Sequence, residues 1–226
     1  ALALYFARVS GQRRVLVGVP TLNRGGRRYR ETPGMFVGVL VVALDVEPGL
    51  CAADLLSLAG SAMRGALRHP RYPLSEMARA LQLARHGRDR LFDLLLSFER
   101  QDYEVHFGAA QRRDACQFFS GLARYPLGVT VCDFEPGKDL ALVLEAADSC
   151  FDAAEVPLLA RRLWQLARLL VQQPSLPLDA VPLLPLQERA RLLVDPPPGR
   201  SADVAAMTWV AQFCAQPDKA NTDVCK

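Results

Sequence analysis

The chain has 226 residues, 50% of them apolar, enough to bury a core and too many for a disordered segment. Its 27 basic and 24 acidic residues leave a net charge of +3, too even a balance for the concentrated basic stripe of a nucleic-acid binder. The longest apolar run, Met35 to Leu44, is broken only by Gly38 and falls well short of the roughly 20 residues that a membrane helix needs, so no membrane span is expected.

Ala1 to Arg8 has neither a leading basic region nor a small-residue cleavage site, so it is not a signal peptide. The lack of an initiator Met suggests an excised piece of a longer protein. Ala1 to Val9 carries apolar residues at helical spacing and stops before Gly11, which predicts the last turns of a helix whose start has been lost. The period then changes. Arg14 to Val19, ended by Pro20, and Met35 to Leu44 read as two inner strands of one sheet, buried on both faces. Between them Pro20 to Pro33, with Gly25, Gly26, Arg24, Arg27, Arg28 and Arg30, reads as a long polar loop.

Leu50 to Leu67 shows the stripe of an amphipathic helix through Leu55, Leu58, Ala59, Ala62, Met63 and Ala66, ended by Pro70. Pro73 suits the first turn of a second helix, whose face continues through Met77, Ala80, Leu81 and Ala84. Leu91 to Phe98 predicts another inner strand, with helix as the alternative because of its leucines. Leu127 to Phe134 and Leu140 to Glu145 alternate in the strand period, and Pro136-Gly137 between them fits a tight turn, so a hairpin is expected. Ala153 to Val171 places Val156, Leu159, Leu163, Leu166 and Leu170 on one side, the pattern of a helix laid on a sheet. The prolines at 174, 177, 182, 185 and 196–198 then predict an extended strap with one short helix, Leu186 to Leu193, rather than another packed layer. No internal repeat is present. The residues alone give an α/β class, a mixed sheet covered by helices, with a proline-rich exit.

Much familiar chemistry is missing. Cys51, Cys116, Cys132, Cys150, Cys214 and Cys225 form no Cys-x-x-Cys pair and have no His at zinc-ligand spacing, so no metal is expected and reduced thiols in a cytoplasmic protein are. His69, His86 and His106 are isolated from one another, and no nucleophile elbow, phosphate loop or dinucleotide fingerprint occurs. The arginine loop admits two readings, a site that meets a phosphate on a substrate arm and a connection kept soluble by charge; the second is favoured. Asp93 would be costly inside an apolar strand. It must face water, pair with an arginine or line a channel, and edge or channel exposure is the expectation.

Four short stretches in order resemble landmarks of the C-terminal half of nonribosomal peptide synthetase condensation domains. Tyr5-Phe6-Ala7-Arg8-Val9-Ser10-Gly11, running on to Val17-Gly18-Val19-Pro20-Thr21-Leu22-Asn23-Arg24, resembles the family's helix, strand and Asn-Arg turn. Pro33-Gly34-Met35-Phe36-Val37 is similar to its Gly-x-Phe-Val landmark, and His69-Pro70-Arg71-Tyr72-Pro73 to its His-x-x-Tyr-Pro stretch. Leu91-Phe92-Asp93-Leu94, continuing to Ser97-Phe98-Glu99, is similar to the strand that follows. Where the family usually has Asn-Thr after Phe-Val this chain has Gly38-Val39, and where it has Gln-Asp this chain has Pro70-Arg71. These departures suggest a divergent subclass.

The resemblance implies a chloramphenicol-acetyltransferase-like C-terminal subdomain over residues 1–173, a proline-rich linker over 174–200 and, because Met207 to Gln216 resembles the opening helix of an adenylation domain, the start of that neighbour over 201–226. It implies amide formation between an acyl donor and an aminoacyl acceptor, each tethered by phosphopantetheine to a peptidyl carrier protein, with no cofactor bound directly. The family's His-His-x-x-x-Asp-Gly motif belongs to its N-terminal half, and neither His-His nor Asp-Gly occurs in these residues. The implied partners are therefore an N-terminal condensation subdomain, carrier proteins and an adenylation domain. Asn23, Arg24, Gly34, Phe36, His69, Tyr72, Phe92 and Asp93 carry over as landmarks lining the tunnel or holding its wall, and none as the catalyst. For Phe36 and Phe92 plain core packing is the favoured role, and Tyr72-Pro73 can simply shape a turn. The alternative is a non-catalytic module, derived from a condensation domain, that docks a carrier protein or a neighbouring domain. A stand-alone acyl-coenzyme A transferase ranks third, because it too needs a histidine base that is not visible here.

Overall fold

The computed structural model describes residues 1–25, 27–100, 108, 123–134 and 139–194. The hairpin turn at Pro136-Gly137, His106, the 196–198 prolines and the adenylation-like stretch lie outside them. Five strands, β1 (Arg14–Thr21), β2 (Gly38–Asp45), β3 (Leu94–Arg100), β4 (Leu127–Asp133) and β5 (Ala141–Ala146), form one mixed sheet in the order β2-β1-β3-β4-β5. The expected hairpin is there, with β4 and β5 antiparallel from Leu127 opposite Ala146 to Cys132 opposite Ala141. β3 runs parallel to β4 over its whole length and is an inner strand, as its apolar density predicts.

Two strand expectations need correction. Among the described residues β2 is an edge strand rather than an inner one, and it starts at Gly38 rather than Met35. Its apolar run does not cover two faces: Leu40 and Val42 are buried, while Val39 and Val41 are half-buried and Ala43 is exposed. Pro20 does not end β1, which continues to Thr21 opposite Gly38. β1 pairs with β3 only at Val17 with Leu94 and Gly18 with Leu95, so Pro20 lies past that junction on what is, among the described residues, an edge, where proline is tolerated. At the junction Gly18 is pressed against the Phe92 ring, and a Cβ there would sit 2.1 Å from a ring carbon.

Helices α1 (Leu2–Ser10), α3 (Ala52–Ala66) and α5 (Glu155–Gln172) pack on the sheet. Six consecutive α1 residues, Leu2 to Ala7, are buried, so this helix has no solvent face in its first two turns. In α5 the predicted stripe of Leu159, Leu163, Leu166 and Leu170 is buried, with Val156 at its margin. The predicted second helix is shorter than its apolar spacing suggests. α4 (Leu74–Ala80) stops before Gln82, which takes a left-handed conformation at φ 52°, and Leu83–His86 is a separate 3₁₀ turn.

The proline-rich strap, with α6 (Leu186–Val194) at its end, is more than an exit. Leu178 and Val181 are buried to 2% and 1% exposure in the same core as α1 and α5. Its carbonyls also take the first N–H groups of α3, which have no partner within that helix: Ala52 donates to Leu176 O at 3.1 Å and Ala53 to Pro174 O at 2.8 Å. Proline removes donors from the strap but leaves its carbonyls, which is why a proline-rich segment can serve as a cap and pack tightly. Arg8 of α1 donates to Leu178 O and Val181 O. Arg162 of α5 donates to the Tyr5 hydroxyl at 2.9 Å and pairs with Glu188 of α6. Burial works against the Arg162 charge, but the bonds to Glu188 and Tyr5 outweigh it and raise its pKa, so it stays cationic.

Two measurements test this packing. Gly18→Ala should lower stability by about 1–3 kcal/mol, because the aromatic ring at the junction has to move, and thermal unfolding should show a drop of about 2–4 °C per kcal/mol. At the α3 cap, the backbone N–H of Cys51 and then its side chain hold the Asp54 carboxyl below its ordinary 3.8. A carboxyl whose folded pKa is depressed stabilises the fold above its unfolded value and loses that contribution as pH falls through the folded one. Asp54→Asn should therefore lower the unfolding midpoint near neutral pH and reduce the loss of stability on acidification below about pH 4, as followed by circular dichroism.

Candidate functional site

The sequence landmarks fall into two groups. The first lies where β1 runs out. Asn23 turns the chain with a left-handed φ of 49°, which Asn tolerates better than most side chains. Arg24 then gathers the following loop onto itself. Its guanidinium donates to Tyr29 O at 2.6 Å, Thr32 O at 2.7 Å and Gly34 O at 2.8 Å, and it lies 4.6 Å above the Phe36 ring. Phe36 meets Tyr29 edge to face at 5.8 Å, and Arg71 covers the Tyr29 ring at 5.1 Å.

What reads in sequence as a long polar loop is thus a folded knot with one helical turn, α2 (Arg27–Arg30), inside it. Gly34, at φ 147°, adopts a backbone conformation that other residues rarely reach. Phe36 sits in this knot ahead of β2, half-buried, rather than in a strand core, while Met35 is 88% exposed.

Asn23 packs over Gly38, where a Cβ would lie 2.5 Å from the amide nitrogen of Asn23. Gly38, one of the two departures from the family pattern, is what leaves room for that amide. Asn23 Oδ1 is buried and has no hydrogen-bond partner among the described residues. The carbonyl of Pro70 comes within 3.7 Å of the same Cβ position, so the 69–72 turn closes this end of the sheet. His69 and Tyr72 lie on that turn with exposed side chains, joined by the Tyr72 N–H to His69 O bond at 3.3 Å. The His69 imidazole has no carboxylate partner among the described residues, so nothing in the structure poises it as a base.

The second group is Phe92 and Asp93. Phe92 is 3% exposed, packed on Gly18 and stacked on Tyr125 at 5.1 Å. Asp93 precedes β3 rather than lying in it. Two of the three outcomes open to it hold together: its carboxylate meets Arg88 at 3.3 Å with 15% of the side chain exposed, both residues line a cavity of about 140 Å³, and the Asp93 carbonyl accepts the Leu127 N–H at 3.1 Å. The structure therefore brings Asn23, Arg24, Gly34 and Phe36 together, with the His69–Tyr72 turn beside them, and keeps Phe92 and Asp93 apart as a brace of the β1–β3 junction.

Sequence reasoning missed Tyr29 and Arg71, which complete the knot. Arg71 was visible only as a departure from the family pattern. Among the described residues no group of three or more His, Cys, Asp or Glu could hold a metal, and no helix is long and apolar enough to cross a membrane. Burial, and then the Glu99 charge, push the Cys132 thiol up, which keeps it protonated and makes it a poor nucleophile.

A mixed five-stranded sheet with helices packed on it is the α/β arrangement expected of a chloramphenicol-acetyltransferase-like subdomain. The condensation-domain family model matches residues 1–193, and the chain belongs to that family. It is 26% identical over 191 residues to surfactin synthase subunit 2 of Bacillus subtilis (strain 168), across 84% of this chain and 5% of that protein. It is 24% identical over 199 residues to tyrocidine synthase 3 of Brevibacillus parabrevis, across 86% and 3%. The first condensation domain of the CDA synthetase superposes with a TM-score of 0.66 at 23% identity, across 81% of this chain and 40% of that one. The starter condensation domain of rhizomide synthetase RzmA gives 0.61 at 24%, across 81% and 43%. The chain thus spans less than half of either solved domain and a small part of each synthetase it matches.

Arg24→Gln removes the charge that three carbonyls share. The expected result is a loosened loop in a folded protein: trypsin should cut at Arg27, Arg28 or Arg30 several-fold faster than in the parent chain, with little change in far-ultraviolet circular dichroism.

Proposed function

We propose that this chain forms one wall of the reaction tunnel of a nonribosomal peptide synthetase condensation domain and does not itself supply the catalytic histidine. The observation that carries this reading is the family match over residues 1–193 in a sequence with no His-His-x-x-x-Asp-Gly motif. The reaction is attack of an acceptor amine on the carbonyl of a donor thioester. A C–N bond forms, the C–S bond breaks, and the leaving thiol takes the proton that the amine gives up. Both substrates arrive on phosphopantetheine arms of carrier proteins, and the histidine belongs to an N-terminal subdomain docked against this one.

The contribution of this wall is orientation. Holding two tethered reactants in attack geometry converts their encounter into an effectively unimolecular step. Asn23, Arg24, Gly34 and Phe36 form the rigid knot at one end of the wall, with His69 and Tyr72 on the turn beside it, and Phe92 with Asp93 fixes the β1–β3 junction. Residues 1–173 make up the subdomain, 174–200 lead out of it with their first part strapped to the core, and an adenylation domain follows from about residue 201. The family's setting is cytoplasmic, which suits the free thiols of Cys51 and Cys132.

The test is amide formation from two loaded carrier proteins, with this chain alone and with a separately expressed N-terminal half bearing the two histidines. Product should appear only in the reconstituted sample, and Phe92→Ala should lower its rate about tenfold or more by loosening the wall. No product from a folded, associated pair would favour the docking module instead.

A further inference from the structure

Helix α3 is buried at one end only. Of its 15 residues just Ala52 and Leu55, both within the first four, are buried, while Ala59, Gly60, Ala62 and Ala66 lie half-buried further along. The helix rests against the edge strand β2. Side chains this small give it little grip on that strand, so its position is set by what holds its two ends.

The strap holds the first end. Ala52 and Ala53 donate to its carbonyls, and the Leu178 N–H returns a bond to Leu50 O at 2.9 Å. The strap is itself seated by Leu178 and Val181 in the core and by Arg8 on its carbonyls. The other end of α3 runs without a break into the 69–72 turn, through bonds from Arg68 N–H to Gly65 O, His69 N–H to Ala66 O and Tyr72 N–H to His69 O. That turn carries Arg71 onto the Tyr29 ring of the knot. Leu67, Pro70 and Arg71 thereby line a cleft of about 610 Å³ together with Thr21 to Gly25 and Arg30. About 22 Å of helix joins the strap at one end to a wall of the cleft at the other.

We propose that the strap is a conformational clasp. Seated, it fixes α3 and with it the 67–71 side of the cleft; released, it leaves α3 free to shift along β2, and the knot loosens. Release also strips the partners from the Ala52 and Ala53 N–H groups, which frays the start of the helix. The hold consists of separable contacts, two buried side chains and a few hydrogen bonds, which is the makeup of a local opening rather than of global unfolding. Prolines 174, 177 and 182 narrow the conformations of the released strap, so reseating costs little entropy. A two-state element that biases both ends is the physical basis of coupling between distant sites. A load applied to the chain beyond residue 185 reaches the cleft by this route.

The experiment combines hydrogen exchange, followed by mass spectrometry on the full chain, with limited tryptic digestion. Exchange of the Ala52 and Ala53 amides reports the clasp, and cutting at Arg27, Arg28 and Arg30 reports the knot. Arg8→Met removes the donor to the strap without emptying the core; it should speed exchange of both amides severalfold and cutting in the knot about threefold. Leu178→Ala should do both more strongly, roughly tenfold or more. Coupling is reciprocal, so Arg71→Gln, which uncovers Tyr29 at the far end, should speed exchange of the same two amides about threefold. Cutting at Arg161 and Arg168 within α5 should stay far slower than in the knot throughout. Faster exchange at Ala52 and Ala53 with unchanged cutting in the knot would overturn the proposal, as would parent-rate exchange there in Arg71→Gln or in both strap variants. So would equal cutting in α5 and the knot, which would mean wholesale unfolding. If Leu178→Ala does not fold, Arg8→Met and Arg71→Gln decide alone. No readout involves carrier proteins or amide formation, so failure of the clasp and failure of the tunnel-wall reading are told apart.

Discussion

Helix α1 holds six consecutive residues out of water, and the polar groups it carries have to find partners inside the protein. Tyr5 can be buried because Arg162 reaches its hydroxyl, and Arg162 can leave water because Glu188 answers its charge. Arg8, one turn further on, is accommodated because the strap presents two carbonyls. These three demands tie α1, α5, the strap and α6 into one unit. The same strap caps the start of α3, so the helical layer is held together as much by a proline-rich segment with a single 3₁₀ turn before α6 as by its long helices.

At the end of the sheet the constraint is electrostatic. Arginine is expensive to crowd, and the knot after β1 tolerates it by giving Arg24 a cage of carbonyls and Arg71 an aromatic face. Neither arrangement cancels charge. That ordering by carbonyls and a ring is the physical difference between a charged loop that is merely solvated and one that is organised.

Much of the fold was legible in the sequence because its signals are local. The α5 stripe, the β4–β5 alternation and the short helix after the strap follow from spacing alone. The errors arose where a side chain's surroundings are set by distant residues. Met35 to Leu44 is equally apolar whether its strand lies inside the sheet or at the edge, and only the β2-β1-β3 order decides. Pro20 looks like a stop until its place beyond the β1–β3 pairs is known. The buried strap residues Leu178 and Val181 were hidden by the prolines around them. Of the candidate site, Arg24, Gly34 and Phe36 were legible as landmarks, but their mutual contact depends on a loop whose composition signals only polarity. Asp93 needed Arg88, which no periodic pattern points to.

The narrow meeting of β1 with β3 has a mechanical meaning. Among the described residues the sheet consists of two panels, β2-β1 and β3-β4-β5, each laced by six or more register pairs and joined to the other by two. With two register pairs across the seam, the Phe92 ring on Gly18 supplies by side-chain packing what the backbone ladder does not, and that contact ties one panel to the other.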